Sequence, residues 1–204
     1  MQQLFQKITA VFLSLTGIIG LSLTPRPMVD DPEPVAIVQP DYAALAAAEA
    51  QWLWNQQLPN GAVAFYYHAN GEVTVSPYFS TFAAIALTAY DGSPEASARI
   101  KRFIEWYFAH MNTRKDNIIP GSIYDYKITM QNGEIVSEKS TGAYDTTDAY
   151  AAFFLRLLWD YADRYGDVAL LQEHATQIKT LLGVIFATRV HGYTLQRVMP
   201  ATHI

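Results

Sequence analysis

The sequence of 204 residues contains no cysteine. This absence excludes disulfide bonds, thiolate metal sites, a cysteine nucleophile and a lipid-modified cysteine. Lysine and arginine are also scarce, with 14 in the whole chain, and no segment concentrates them. Because the net charge is −5 and no basic patch is present, we expect no nucleic-acid partner.

Motifs for metal and nucleotide chemistry are missing as well. The five histidines are scattered along the chain without metal-ligand spacing. The sequence has no Gly-x-Ser-x-Gly elbow, no phosphate loop and no dinucleotide-binding glycine pattern. We therefore expect neither a metal ion nor a cofactor.

The N-terminal part of the chain has the pattern of an exported protein. Lys7 is followed by an uncharged, mainly apolar run over residues 8–24. This pattern predicts a signal peptide or an uncleaved membrane anchor over residues 1–24, with a buried core helix as the alternative. Residues 25–40 contain five prolines and three acids, which predicts an extended linker. The folded domain is then 41–204, secreted or membrane-tethered, and the apolar content of the whole chain, 50%, suffices for one core.

Hydrophobic periodicity predicts five helices in this domain. Asp41 is a candidate N-cap for the first helix, and Trp52 is predicted to lie in the core. The second and fourth helices are apolar nearly all round and should be covered on most sides, whereas the third and fifth carry a single apolar stripe. The predicted helices span residues 41–56, 77–90, 93–111, 146–165 and 168–189.

The connections between these helices alternate between short and long. Tight turns follow the second and fourth helices, so each of these helices is antiparallel to the next one. The long connections, 57–76 and 112–145, contain Asn70-Gly71 and Asn132-Gly133, which predict β-hairpins. Both long connections should therefore emerge at the same end, and long ordered loops are usually functional. We place the candidate site there.

Two stretches that lead from a long connection into a helix carry a resemblance to a known family. They are residues 73–87 (VTVSPYFSTFAAIAL) and 144–158 (YDTTDAYAAFFLRLL). The helix and loop order resembles the six-hairpin glycosidases, and the second stretch is similar to an inner-helix entry in family 8 glycoside hydrolases. The resemblance implies an all-α fold, a partial α/α toroid of helical hairpins with short β-hairpins in its long loops.

The same resemblance implies a substrate and an incomplete ring. Asp148 matches the family's first aspartate at the helix entry, while Tyr150 replaces the second one. The family's general-acid glutamate has no match, because Ser76, Pro77 and Tyr78 stand at the corresponding entry. Five helices are too few for a closed ring, which implies a truncated gene product, a fragment, or a domain completed by a second chain.

Three aspartates are the catalytic candidates. Hydrolysis of a glycosidic bond needs one carboxylic acid that donates a proton and a second carboxylate that acts as base or nucleophile. In this interpretation Asp148 is the base or a sugar-hydroxyl acceptor, Asp145 supports it, and Asp125 or Glu72 is the donor. The alternatives stay open: helix capping for Asp145 and Asp148, and an exposed strand residue for Asp125.

Tyrosines crowd the two long connections and form a candidate platform for sugar rings. Apolar C–H faces of sugars pack on aromatic rings, and their hydroxyl groups are left for polar neighbours. Loop packing or cross-strand pairing is the alternative for each ring. The candidates are Tyr66, Tyr67, Tyr78, Tyr124, Tyr126, Tyr144 and Tyr150.

These observations predict an exported glycosidase-like module that binds or hydrolyses a poly- or oligosaccharide. A second hypothesis is a non-catalytic remnant that binds glycan or another protein. A third is a membrane-tethered helical interaction domain with no role in sugar chemistry.

Overall fold

The computed structural model describes residues 40–113, 119–144 and 146–189, so the predicted signal or anchor and most of the linker lie outside it. The part from Asp41 onward belongs to one compact unit. Its helices and strands are, in chain order, α1 (Tyr42–Asn55), β1 (Tyr66–Tyr67), β2 (Glu72–Val75), α2 (Pro77–Tyr90), α3 (Pro94–His110), β3 (Tyr126–Gln131), β4 (Glu134–Ser140), α4 (Thr147–Tyr165), α5 (Val168–Glu173) and α6 (Ala175–Ala187).

The helix starts follow from local capping chemistry. Asp41 Oδ1 accepts the backbone N–H of Ala44 at 3.0 Å, and Ser93 Oγ accepts that of Ala96 at 3.1 Å. Pro77 and Pro94 stand at the first helical positions, where the missing N–H removes no intrahelical bond. The first four predicted helices are therefore confirmed to within two residues at each end.

The fifth predicted helix, 168–189, is wrong as a single element. The helix is interrupted at His174, which separates α5 from α6. The His174 ring is 8% exposed and stacks on Phe108 of α3, with centroids 4.1 Å apart. The break thus packs His174 against α3, a contact that the apolar periodicity did not predict.

Two predictions of burial are also wrong. Trp52 is 58% exposed, because the core-facing side of α1 runs through Ala50 and Trp54, four residues apart. Helix α2 is not covered on most sides either, since Phe79 and Phe82 are 47% and 38% exposed. These residues lie one turn apart on a face of α2 that stays partly open.

Both predicted hairpins are present, but they do not stay separate. Asn132 and Gly133 have φ of 53° and 83°, the positive pair that a tight type I′ turn needs. Strand β2 then pairs with β3 in antiparallel register, and all four strands form one sheet in the order β1-β2-β3-β4. Met130 N–H donates to Gly71 O at 3.1 Å, so the two hairpin tips lie side by side.

This sheet overturns the predicted all-α fold, the partial α/α toroid. The protein combines six helices and one four-stranded antiparallel sheet within the described residues. An isolated hairpin leaves a row of unpaired backbone groups on each edge, and pairing β2 with β3 satisfies one row from each hairpin. Val73, Val75 and Ile128 become almost fully buried in the process.

Helix α4 is the centre of the helical layer and packs against both α2 and α6. Phe154 of α4 is fully buried and stacks on Tyr107 of α3, with ring centroids 3.5 Å apart. Phe103 and Leu157 complete this core and are at most 1% exposed. Burial of each such side chain contributes about 1.5–3 kcal/mol to the stability of the helical layer.

Candidate functional site

Antiparallel strand pairing brings the residues of the candidate site together at one end of the sheet. Val75 ends β2 opposite Tyr126, which begins β3, and Tyr126 in turn pairs with Ser140 at the end of β4. The next residues outward, Ser76 and Asp125, are therefore neighbours although they are far apart in sequence. The hairpin tips lie at the opposite end of the sheet.

Asp125 is fixed by its backbone and its side chain together. Its N–H donates to Ala143 O at 2.8 Å, and Thr141 N–H donates to Asp125 O at 2.8 Å. Tyr150, on the first turn of α4, donates its phenolic hydrogen to Asp125 Oδ1 at 2.9 Å. Tyr150 Oη also lies 3.3 Å from Ser76 Oγ. This polar centre thus joins the entry to α2, the start of β3 and the first turn of α4.

Four tyrosines surround this centre, and we refer to Tyr78, Tyr124, Tyr144 and Tyr150 as the tyrosine cluster. Tyr78 stacks on Tyr150 at a centroid distance of 5.5 Å, and Tyr124 stacks on Tyr144 at 5.6 Å. Tyr144 and Tyr150 meet edge to face at 6.5 Å. Tyr144 and Tyr150 are buried, whereas Tyr78 and Tyr124 are half-buried. The polar centre at Asp125 is therefore bordered by aromatic rings.

Buried hydroxyl groups accompany the tyrosine cluster. Tyr144 Oη, Thr147 Oγ1 and Tyr107 Oη have no hydrogen-bond partner among the described residues. Burial raises the pKa of Tyr107 above its ordinary value, and the neighbouring Tyr150 adds to this shift. An unpaired buried hydroxyl costs about 1–3 kcal/mol, so a buried water molecule is the expected partner of each group.

Asp148 lies on the first turn of α4 and is half-buried. Its Oδ1 accepts the N–H of Ala149 at 2.9 Å, which agrees with a local capping role. Thr146, the residue before the helix, makes no side-chain capping bond. Asp145, the third aspartate of the prediction, lies outside the described residues.

The other predicted site residues occupy different surroundings. Tyr66 and Tyr67 are exposed on the edge strand β1, where the Tyr66 ring packs edge-on against His68. Tyr126 follows Asp125 directly, and the alternation of a strand turns its ring toward Trp106 and His110. The structure thus brings Asp125 together with four of the seven predicted tyrosines.

The second proposed proton donor, Glu72, is unsuited to that role. It lies at the hairpin end of β2, and Lys127 Nζ is 2.7 Å from its Oε1. The hydrogen bond from Lys127 outweighs the opposing effect of desolvation and lowers the pKa of Glu72 below its usual value. A carboxyl group with a lowered pKa is a poor acid at neutral pH.

Ser76 belongs to the site, although its sequence position did not predict this. Its one local signal is its place directly before Pro77, which begins α2.

No cluster of three or more potential metal ligands occurs within the described parts of the chain. No helix in those same parts is long and apolar enough to cross a membrane. No protein-family model, curated protein or solved structure matches the sequence or fold of this chain.

Proposed function

We propose that the chain is an exported, glycosidase-like module that binds a poly- or oligosaccharide at the tyrosine cluster. The observation that carries the proposal is the Asp125 carboxylate, hydrogen-bonded by Tyr150 and walled by tyrosine rings from three chain segments. Sugar hydroxyl groups donate readily to a carboxylate, and sugar C–H faces pack on aromatic rings.

Binding is a better-supported role than hydrolysis. Tyr150 donates to Asp125, so this oxygen acts as an acceptor, whereas a general acid must donate a proton. Glu72 is paired with Lys127 at the other end of the sheet. Asp148 is suited to accept a hydrogen bond from a sugar hydroxyl or to act as a base. Hydrolysis is the second candidate, favoured by the position of Asp148 two residues before Tyr150 and by the resemblance of residues 144–158 to family 8 glycoside hydrolases.

Affinity electrophoresis with a panel of polysaccharides in the gel tests binding. We expect at least one polysaccharide to retard the protein, and Tyr124→Ala to abolish most of the retardation because it removes a half-buried ring of the cluster. Tyr90→Ala is the matched control, since Tyr90 is exposed at the far end of α2. The proposal fails if no polysaccharide retards the folded protein, or if both variants behave alike.

Release of reducing ends from the polysaccharide that retards the protein tests hydrolysis. Loss of this release in Asp148→Asn, with unchanged retardation, would establish catalysis. Asp163→Asn is the control, because it removes the same charge from an exposed position near the other end of α4. Retardation without any release would leave glycan binding as the function.

A further inference from the structure

A second group of aromatic side chains lies beside the tyrosine cluster. Trp52 of α1, Phe65 of the segment before β1 and Phe79 of α2 line a depression of about 180 Å³, which we call the aromatic depression. They are 58%, 54% and 47% exposed, respectively. Single exposed aromatic residues are common, whereas these three lie together around one depression.

Ring contacts connect the aromatic depression to the tyrosine cluster without interruption. Phe65 and Phe79 are stacked almost in parallel, with centroids 4.5 Å apart and planes at 7°. Phe79 meets Tyr78 edge to face at 5.2 Å, and Tyr78 stacks on Tyr150 at 5.5 Å. A ligand bound at Tyr78 therefore lies next to Phe79, which borders the aromatic depression.

The size and lining of the aromatic depression indicate what it holds. Cavities of about 150 Å³ accommodate a single benzene ring, so this volume suits one six-membered ring. None of its lining residues is charged. The hydroxyl of Ser80, which belongs to the lining, already donates to Val63 O at 2.7 Å. Contact in the depression is therefore mainly apolar, which fits the C–H face of an uncharged sugar better than a uronic acid or an amino sugar.

We propose that a saccharide chain bound at the tyrosine cluster extends into the aromatic depression and places an uncharged sugar unit there. The inference rests on the proposed function and makes it more specific. The ligand is a linear oligosaccharide long enough to reach both places, and a single sugar at the cluster uses only part of the surface.

The test is the dependence of affinity on oligosaccharide length, measured by titration calorimetry. The ligands are oligosaccharides of increasing length from the polysaccharide that retards the protein. For the wild-type protein the affinity rises with length until the depression is filled. Phe65→Ala and Trp52→Ala lower the affinity for the longest ligands by about tenfold and leave that for the shortest unchanged.

Matched controls separate this effect from a general loss of exposed aromatic surface. Phe186→Ala and Trp159→Ala remove rings that are 61% and 66% exposed on α6 and α4, outside the lining of the depression. All four rings are more than half exposed, so the variants should fold, which circular dichroism verifies. The controls should bind long and short ligands as the wild-type protein does.

Three results would overturn the inference. If Phe65→Ala and Trp52→Ala weaken short and long ligands equally, or no more than the controls do, the extension is refuted while glycan binding stands. If no ligand of any length binds, the proposed function itself has failed. If light scattering detects a dimer that Phe65→Ala dissociates without changing glycan affinity, a second copy occupies the depression instead.

Discussion

Removal of one oxygen atom from Tyr150 should destabilise the protein more than loss of an ordinary hydrogen bond would. Tyr150→Phe keeps the ring, which is 2% exposed and packs on Tyr78 and Tyr144. The change removes the donor that lies 2.9 Å from Asp125 Oδ1 and the contact with Ser76 Oγ at 3.3 Å. The substitution therefore removes the polar contacts of Tyr150 and leaves its aromatic packing in place.

The expected size follows from the charge of the acceptor. A hydrogen bond to a charged group contributes about 1.5–3 kcal/mol, against about 0.5–1.5 kcal/mol for a neutral pair. We expect Tyr150→Phe to lower the free energy of unfolding by about 2 kcal/mol. For a domain of this size that corresponds to a decrease in Tm of about 4–8 °C. Tyr165→Phe is the matched control, because Tyr165 donates to a neutral backbone carbonyl, that of Asp91. Its expected cost is about 1 kcal/mol.

Urea unfolding of a double-mutant cycle measures the interaction directly. The cycle combines Tyr150→Phe with Asp125→Ala, and the coupling free energy should be about 1.5–3 kcal/mol. A coupling below about 0.5 kcal/mol, or a Tyr150→Phe cost no larger than that of Tyr165→Phe, would refute the account of Asp125 as a hydrogen-bonded carboxylate.

Two further predictions concern the framework around the site. Gly61→Ala should cost more than about 2 kcal/mol in urea unfolding, because Gly61 has φ of 96° and an added Cβ would lie 2.4 Å from Arg102 O. Gly133→Ala should cost only about 1–2 kcal/mol, since its φ of 83° is strained for alanine but no atom lies within 4 Å of the new Cβ. Desolvation alone would raise the pKa of Asp167, but hydrogen bonds from Lys101 Nζ, 3.1 Å away, and from a backbone amide of α5 outweigh it and lower the pKa. Because the pKa is lowered on folding, the stabilisation is complete above about pH 4 and is lost as the pH falls below it. Asp167→Asn keeps a residue that caps helices, so its stability deficit at pH 7 should shrink between about pH 5 and pH 2 in thermal unfolding. A deficit that does not change with pH would contradict the electrostatic explanation.

The helices could be predicted because their signals are local. Asp41 and Ser93 cap the turns that follow them, and Pro77 marks a helix start within one residue. Pairing of β2 with β3 had no such signal, because Glu72 faces Thr129 from a distant part of the sequence. The fold class therefore depended on a long-range contact that periodicity does not encode.

The same distinction applies to the candidate site. Asp125 and the tyrosine cluster were predicted because all of them lie in or beside the long connections. Tyr126 was grouped with them, although the alternation of β3 turns it to the other side of the sheet. Ser76 was missed because its partner Tyr150 is 74 residues further along the chain. Trp52 was wrongly predicted to lie in the core, because the alanines of α1 give little contrast between its faces.

The position of the two hairpin tips offers a practical handle for labelling. The natural chain has no thiol, so a cysteine introduced at Glu134, an exposed residue beside the Asn132–Gly133 turn, would react with a maleimide dye at one position only. Strand β4 separates that point from the opposite end of the sheet by seven residues, which corresponds to about 20 Å. A protein tethered to a sensor chip through this cysteine would present Asp125 and its tyrosines to the solution.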